Sequence, residues 1–71
     1  MEVLKLITDG SKILEKRNIA SHRLDSEILL SKVLKKDRSR LLLNLNQLAQ
    51  EKDIRNFNAL IRRRSKREPI A

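Results

Sequence analysis

From residue 2 to residue 17 the apolar positions recur with the period of an α-helix. Val3, Leu6, Ile7, Gly10, Ile13 and Leu14 fall within roughly a third of the circumference at about 100° per residue. Glu2, Lys5, Asp9, Lys12, Glu15 and Lys16 take the other side. Gly10 lies mid-helix on the apolar face, where it costs about 1 kcal/mol relative to Ala. That placement predicts that another helix approaches closely there. Arg17-Asn18 ends the segment, with Asn18 suited to the left-handed conformation of a C-terminal cap. Ser21 is a good N-cap for a second helix, followed by Asp25 and Glu27, whose carboxylates suit the start of a helix dipole. Over residues 22–35, Leu24, Ile28, Leu29, Leu30, Val33 and Leu34 spread almost all round the helix. A helix apolar on most sides is buried on most sides, so this one is expected at the centre.

Lys35-Lys36-Asp37-Arg38 is a polar connection, after which Ser39 is expected to cap a short helix carrying Leu41, Leu42 and Leu43. Asn44 and Asn46 interrupt it, and Leu45 and Leu48 are expected to pin the following loop to the core. A last helix is expected over residues 50–65, with Ile54, Phe57, Leu60 and Ile61 on one face and Arg64 on that same face. Pro disfavours helix at the residue before it and lacks an N–H, which makes Glu68-Pro69 a helix boundary. No segment alternates like a strand. The pattern predicts an all-α fold, a small bundle of four or five short helices with a largely buried second helix. Residues 1–66 form the helical domain and residues 67–71 the start of a linker. The position of that boundary, two residues before the last residue given, reads as one domain excised from a longer protein.

Composition narrows the chemistry. With 71 residues the chain is one domain near the lower limit for a self-sufficient core. It holds 22 Leu, Ile and Val residues, with Leu outnumbering the other two together, which favours helix over strand. There is no cysteine, so neither a disulfide nor a thiolate metal site is available. The single glycine excludes a glycine-rich phosphate loop. His22 is the one histidine, and its simplest reading is a solvated residue in the first turn of the second helix; a Ser–His–carboxylate triad or a metal site built on it lacks supporting spacing. No catalytic, cofactor or metal site is therefore expected within these residues. No apolar run approaches the ~20 residues that span a bilayer, and the N-terminus is amphipathic and not signal-like, so the cytoplasm is the expected location.

The formal charge of +8 makes nucleic acid, a ribosome or an acidic protein surface plausible partners. Its densest expression is Arg62-Arg63-Arg64-Ser65-Lys66-Arg67. Two readings stand. Cations near a helix C-terminus interact favourably with its dipole, typically by about 0.3–1 kcal/mol; alternatively Arg62, Arg63, Lys66 and Arg67 form a landing surface for an acidic protein or for RNA phosphates. Arg64, on the apolar face, is expected to lay its stem over the core and reach a carboxylate, with Asp25 and Glu27 as candidates. With Phe57 as the one aromatic residue, single-strand binding by base stacking is disfavoured.

Three stretches carry a resemblance. Arg23-Leu24-Asp25-Ser26-Glu27-Ile28-Leu29-Leu30, Leu60-Ile61-Arg62-Arg63-Arg64 and Arg67-Glu68-Pro69-Ile70-Ala71 resemble the N-terminal domain of the HemK/PrmC family, whose pattern runs roughly R-x-D-A-E-I-L-L and later L-x-x-R-R-x-x-R-E-P-I-A-Y. The terminal Arg-Glu-Pro-Ile-Ala is the most specific piece. Ser26 stands where the family usually has Ala, and His22 where Pro is frequent. The resemblance implies a parent enzyme that uses S-adenosylmethionine to methylate the glutamine of the Gly-Gly-Gln motif in class-one peptide chain release factors. It implies a separate methyltransferase domain with an Asn-Pro-Pro-Tyr motif, and it gives the present helices the task of engaging the release factor. A small nucleic-acid-binding domain and a structural cap on a neighbouring domain remain the competing expectations.

Overall fold

The computed structural model describes residues 1–66. The expected linker start at residues 67–71, with Arg67 and the Glu68-Pro69 boundary, lies outside them. Among the described residues four helices follow one another: α1 (Val3–Lys16), α2 (His22–Leu34), α3 (Arg38–Leu43) and α4 (Glu51–Ser65). α2 touches each of the other three, and α1 also packs on α4. The core consists of Val3, Leu6, Ile7 and Leu14 from α1, Ile19 from the first turn, Leu29 and Leu30 from α2, Leu41 from α3, and Phe57 and Ile61 from α4.

α1 and α2 stop by the same device. Asn18 has φ 60 and Lys35 has φ 55, and the next residue in each case donates its N–H to the carbonyl five residues back. Ile19 N reaches Leu14 O at 3.2 Å, and Lys36 N reaches Ser31 O at 3.0 Å. These are Schellman closures, which satisfy carbonyls the helix itself leaves open. Asn at the left-handed position is readable from sequence; Lys at the equivalent one is not.

The loop after α3 is tied to the start of α1 through its backbone. Val3 N donates to Gln47 O at 2.9 Å, Leu4 N to Leu45 O at 3.0 Å, and Ala49 N to Met1 O at 2.9 Å. Donors at the start of α1 that have no intrahelical acceptor thereby gain one. Leu45 packs against the core as expected, but the Leu48 side chain is 69% exposed, so the loop is held by peptide groups and not by that leucine. α3 likewise begins earlier than its serine suggests. Its N-cap is Asp37, not Ser39, because Arg38 in its first turn is anchored at 2.7 Å to Glu27.

α2 is central, but its buried face is more polar than expected. Asp25, Ser26, Glu27 and Ser31 are buried beside Leu29 and Leu30. Ile28, Val33 and Leu34 are half-buried, and Leu24 is exposed. Two residues separate Leu24 from the fully buried Ser26, which puts it roughly 200° round the helix. Ile13, expected on the α1 core face, is also exposed, because the part of α4 opposite it presents Asn58 and Arg62.

Gly10 explains why three helices converge. A Cβ there would lie 2.8 Å from Phe57 Cζ, 2.8 Å from Ser26 Oγ and 2.9 Å from Ile61 Cδ1. Ser26 cannot swing aside freely, since its hydroxyl donates to Ile7 O at 2.8 Å. Ser26 is therefore a buried tie between α2 and α1. Overpacking by one methyl costs about 1–3 kcal/mol, partly offset by the ~1 kcal/mol helix preference of Ala over Gly. Gly10→Ala is expected to lower stability by a net ~0–2 kcal/mol, a fall of up to several degrees in Tm for a domain of this size, read by circular dichroism. Adding Ser26→Ala removes one of the three clashes, so the double variant should lose less than the sum of the singles.

Candidate functional site

The basic end of α4 divides by helical geometry. Arg64 points inward: its Nε lies 3.0 Å from Asp25 Oδ2, with the two side chains 22% and 9% exposed. The same carboxylate oxygen accepts the Ser21 hydroxyl at 3.0 Å. An arginine on the core face of α4 is thus fixed to the first turn of α2 by a charge-assisted hydrogen bond. Glu27 is committed elsewhere. Its Oε2 accepts Arg23 Nε at 3.0 Å and its Oε1 accepts Arg38 Nε at 2.7 Å, so one buried carboxylate joins two arginines from α2 and α3. Of the two candidate partners for Arg64, the structure supplies Asp25 and not Glu27.

His22 is half-buried and not simply solvated. Its Nδ1 lies 2.7 Å from Ser11 Oγ, and its Nε2 lies 3.6 Å from Glu15 Oε2. The composition is serine, histidine and carboxylate, but Ser11 is buried between α1 and α2, whereas a nucleophile must face its substrate. The array clasps the end of α1 to the start of α2. Among the described residues no group of three or more His, Asp or Glu side chains is placed to hold a metal ion. No helix there is long and apolar enough to cross a membrane.

The remaining cations face outward in two directions. Arg62 lies beside Asp9 and Ile13 at the α1–α4 boundary, and Lys66 lies beside Lys16 and Arg17 further along that boundary. Arg63 is exposed but sits on another side of α4, one residue or about 100° from Arg62. The structure therefore brings Arg62 and Lys66 together and sets Arg63 apart. It adds residues that sequence reasoning missed. Arg55 stands two turns before Arg62 on the same stripe, a spacing present in the sequence; Lys16 joins only because α1 lies along α4.

Fold and surface together define a small all-α module with a cationic outer edge. The chain belongs to the PrmC N-terminal domain family, whose model matches residues 5–71. It is 37% identical over 92% of its length to the release factor glutamine methyltransferase of Clostridium botulinum, covering 23% of that protein. The release factor glutamine methyltransferase of Leptospira interrogans is 36% identical over 97% of the chain, which covers 24% of it. The bifunctional methyltransferase of Rickettsia felis is 38% identical over 97% of the chain, which covers 13% of it. The chain thus spans a quarter or less of the curated relatives it matches. No solved structure matches it significantly.

A double-mutant cycle separates the two carboxylates. Arg64→Ala and Asp25→Ala are expected to couple by about 1–3 kcal/mol in denaturant unfolding, while Arg64→Ala and Glu27→Ala should be additive to within about 0.5 kcal/mol. Equal coupling in both cycles would mean that Arg64 is shared between them.

Proposed function

We propose that this chain is the release-factor-engaging domain of a release factor glutamine methyltransferase. In that parent enzyme, a separate domain binds S-adenosylmethionine and transfers its methyl group to the glutamine of the Gly-Gly-Gln motif. The observation that carries the reading is the family match over nearly the whole chain, joined to relatives whose remaining three quarters or more lie outside the matched region. A protein whose substrate is a translation termination factor works in the cytoplasm, so that location goes with the assignment.

The arrangement of side chains supports a substrate-holding role. Asp25, Glu27 and the Ser11–His22 pair are spent on joining helices. What faces outward is cationic surface, suited to steering and holding a partner of opposite charge. Binding energy gained at a site remote from the reacting glutamine improves turnover of the intact partner only.

The test is a pair of substrates for the parent enzyme. Charge reversal at Arg62, Arg63, Lys66 and Arg67 is expected to lower kcat/KM toward intact release factor by about tenfold or more, equivalent to ~1.4 kcal/mol of lost interaction. Activity toward a short Gly-Gly-Gln peptide should stay near wild type. Equal loss on both substrates would place the damage in folding or in the transfer site, and loss on neither would leave the domain as a cap on its neighbour.

A further inference from the structure

α1 and α4 lie side by side and run the same way. Met1 is bonded to the loop that leads into α4, and the last residues of α1 lie beside Ser65 and Lys66. On the solvent side a groove runs between them. Its floor is apolar and open: Ile13 is 44% exposed and Met1 49%. Its α4 wall carries Arg55 and Arg62, seven residues apart and so stacked on one face of the helix. Neither guanidinium has a hydrogen-bond or ion-pair partner among the described residues, in contrast to Arg23, Arg38 and Arg64. Further along the same boundary stand Lys16 at the end of α1 and Lys66 after α4. The one acid in the lining among the described residues, Asp9, stands 3.8 Å from Lys5 Nζ.

We propose that the α1–α4 groove docks an acidic segment of the protein substrate, one that sets apolar side chains along the floor at Ile13 and Met1 and carboxylates against Arg55 and Arg62. This rests on the reading that the domain engages a protein. Two features of the groove select that occupant. Guanidinium groups pair with carboxylates through two parallel hydrogen bonds, and two of them one above the other suit acids spaced along a single segment. An apolar floor between charged walls is satisfied by a hydrophobic anchor, the arrangement used when an amphipathic segment lies in a groove. A polynucleotide would use the cations but leave the floor unmatched. Its bases stack on aromatic faces, and the one aromatic side chain of the chain, Phe57, is buried.

The measurement is binding of intact release factor to this 71-residue chain by isothermal titration calorimetry, with a 20-nucleotide poly(U) as the rival probe. Arg55→Glu with Arg62→Glu, and separately Ile13→Asp, should each weaken release-factor binding by about tenfold or more. Arg40→Glu with Lys52→Glu makes the same charge change away from the groove and should shift the Kd by no more than about twofold. Thermal melts check each fold, with Ile13→Ala and Arg55→Ala with Arg62→Ala replacing any variant that unfolds. Release-factor binding that ignores the groove variants overturns this site while leaving the domain a release-factor-binding module. Absence of release-factor binding by the wild-type chain overturns both. Tighter binding of poly(U), lost in the Arg55/Arg62 variant but kept in Ile13→Asp, would assign the groove to nucleic acid instead.

Discussion

The close approach at Gly10 is the contact on which the rest of the bundle depends. Phe57 and Ile61 from α4 and the Ser26 hydroxyl from α2 all come to the place where a side chain on α1 would otherwise stand. A residue without Cβ lets side chains from two other helices reach that point without being displaced, and the cost of glycine in a helix interior is offset by the packing it permits. Because Ser26 is also bonded to the Ile7 carbonyl, α1 and α2 are locked in register as well as in distance.

Around that core the buried acids set the positions of the peripheral elements. Asp25 holds α4 through Arg64, and Glu27 holds α3 through Arg38. Buried carboxylates are costly to desolvate and tolerable only when fully partnered. Here each has two donors, and no buried side-chain polar atom of the described residues lacks a hydrogen bond. Each ion pair fixes one named arginine against one named carboxylate, Arg64 on Asp25 and Arg38 on Glu27.

The same division of labour bears on the proposed role. Arg64 points inward and is consumed in holding helices, whereas Arg55 and Arg62 face outward on a single stripe of α4 beside an exposed isoleucine. A cationic edge with an apolar floor is what a protein-holding module attached to a methyltransferase domain would be expected to present. In a chain of net charge +8 most basic residues are general surface, and only their placement by the fold distinguishes a site from a composition.

The sequence by itself determined the helices, the left-handed stop at Asn18, the need for a close contact at Gly10, and the inward turn of Arg64, because each follows from periodicity or local backbone chemistry within one segment. It also carried the family motifs. Periodicity misplaced Leu24, Ile13 and Leu48, since an apolar residue at the edge of a helical stripe, or in a loop, is buried only if a neighbour arrives to cover it. The choice of Asp25 over Glu27 was beyond reach for the same reason: the two differ by 200° on α2, and the positions of α3 and α4 decide which arginine meets which acid. The groove was beyond reach too, because its walls come from the two ends of the chain. Tertiary structure alone brings Ile13 and Lys16 beside Arg62 and Lys66, because long-range contacts depend on how whole helices pack and not on the residues next to them in the chain.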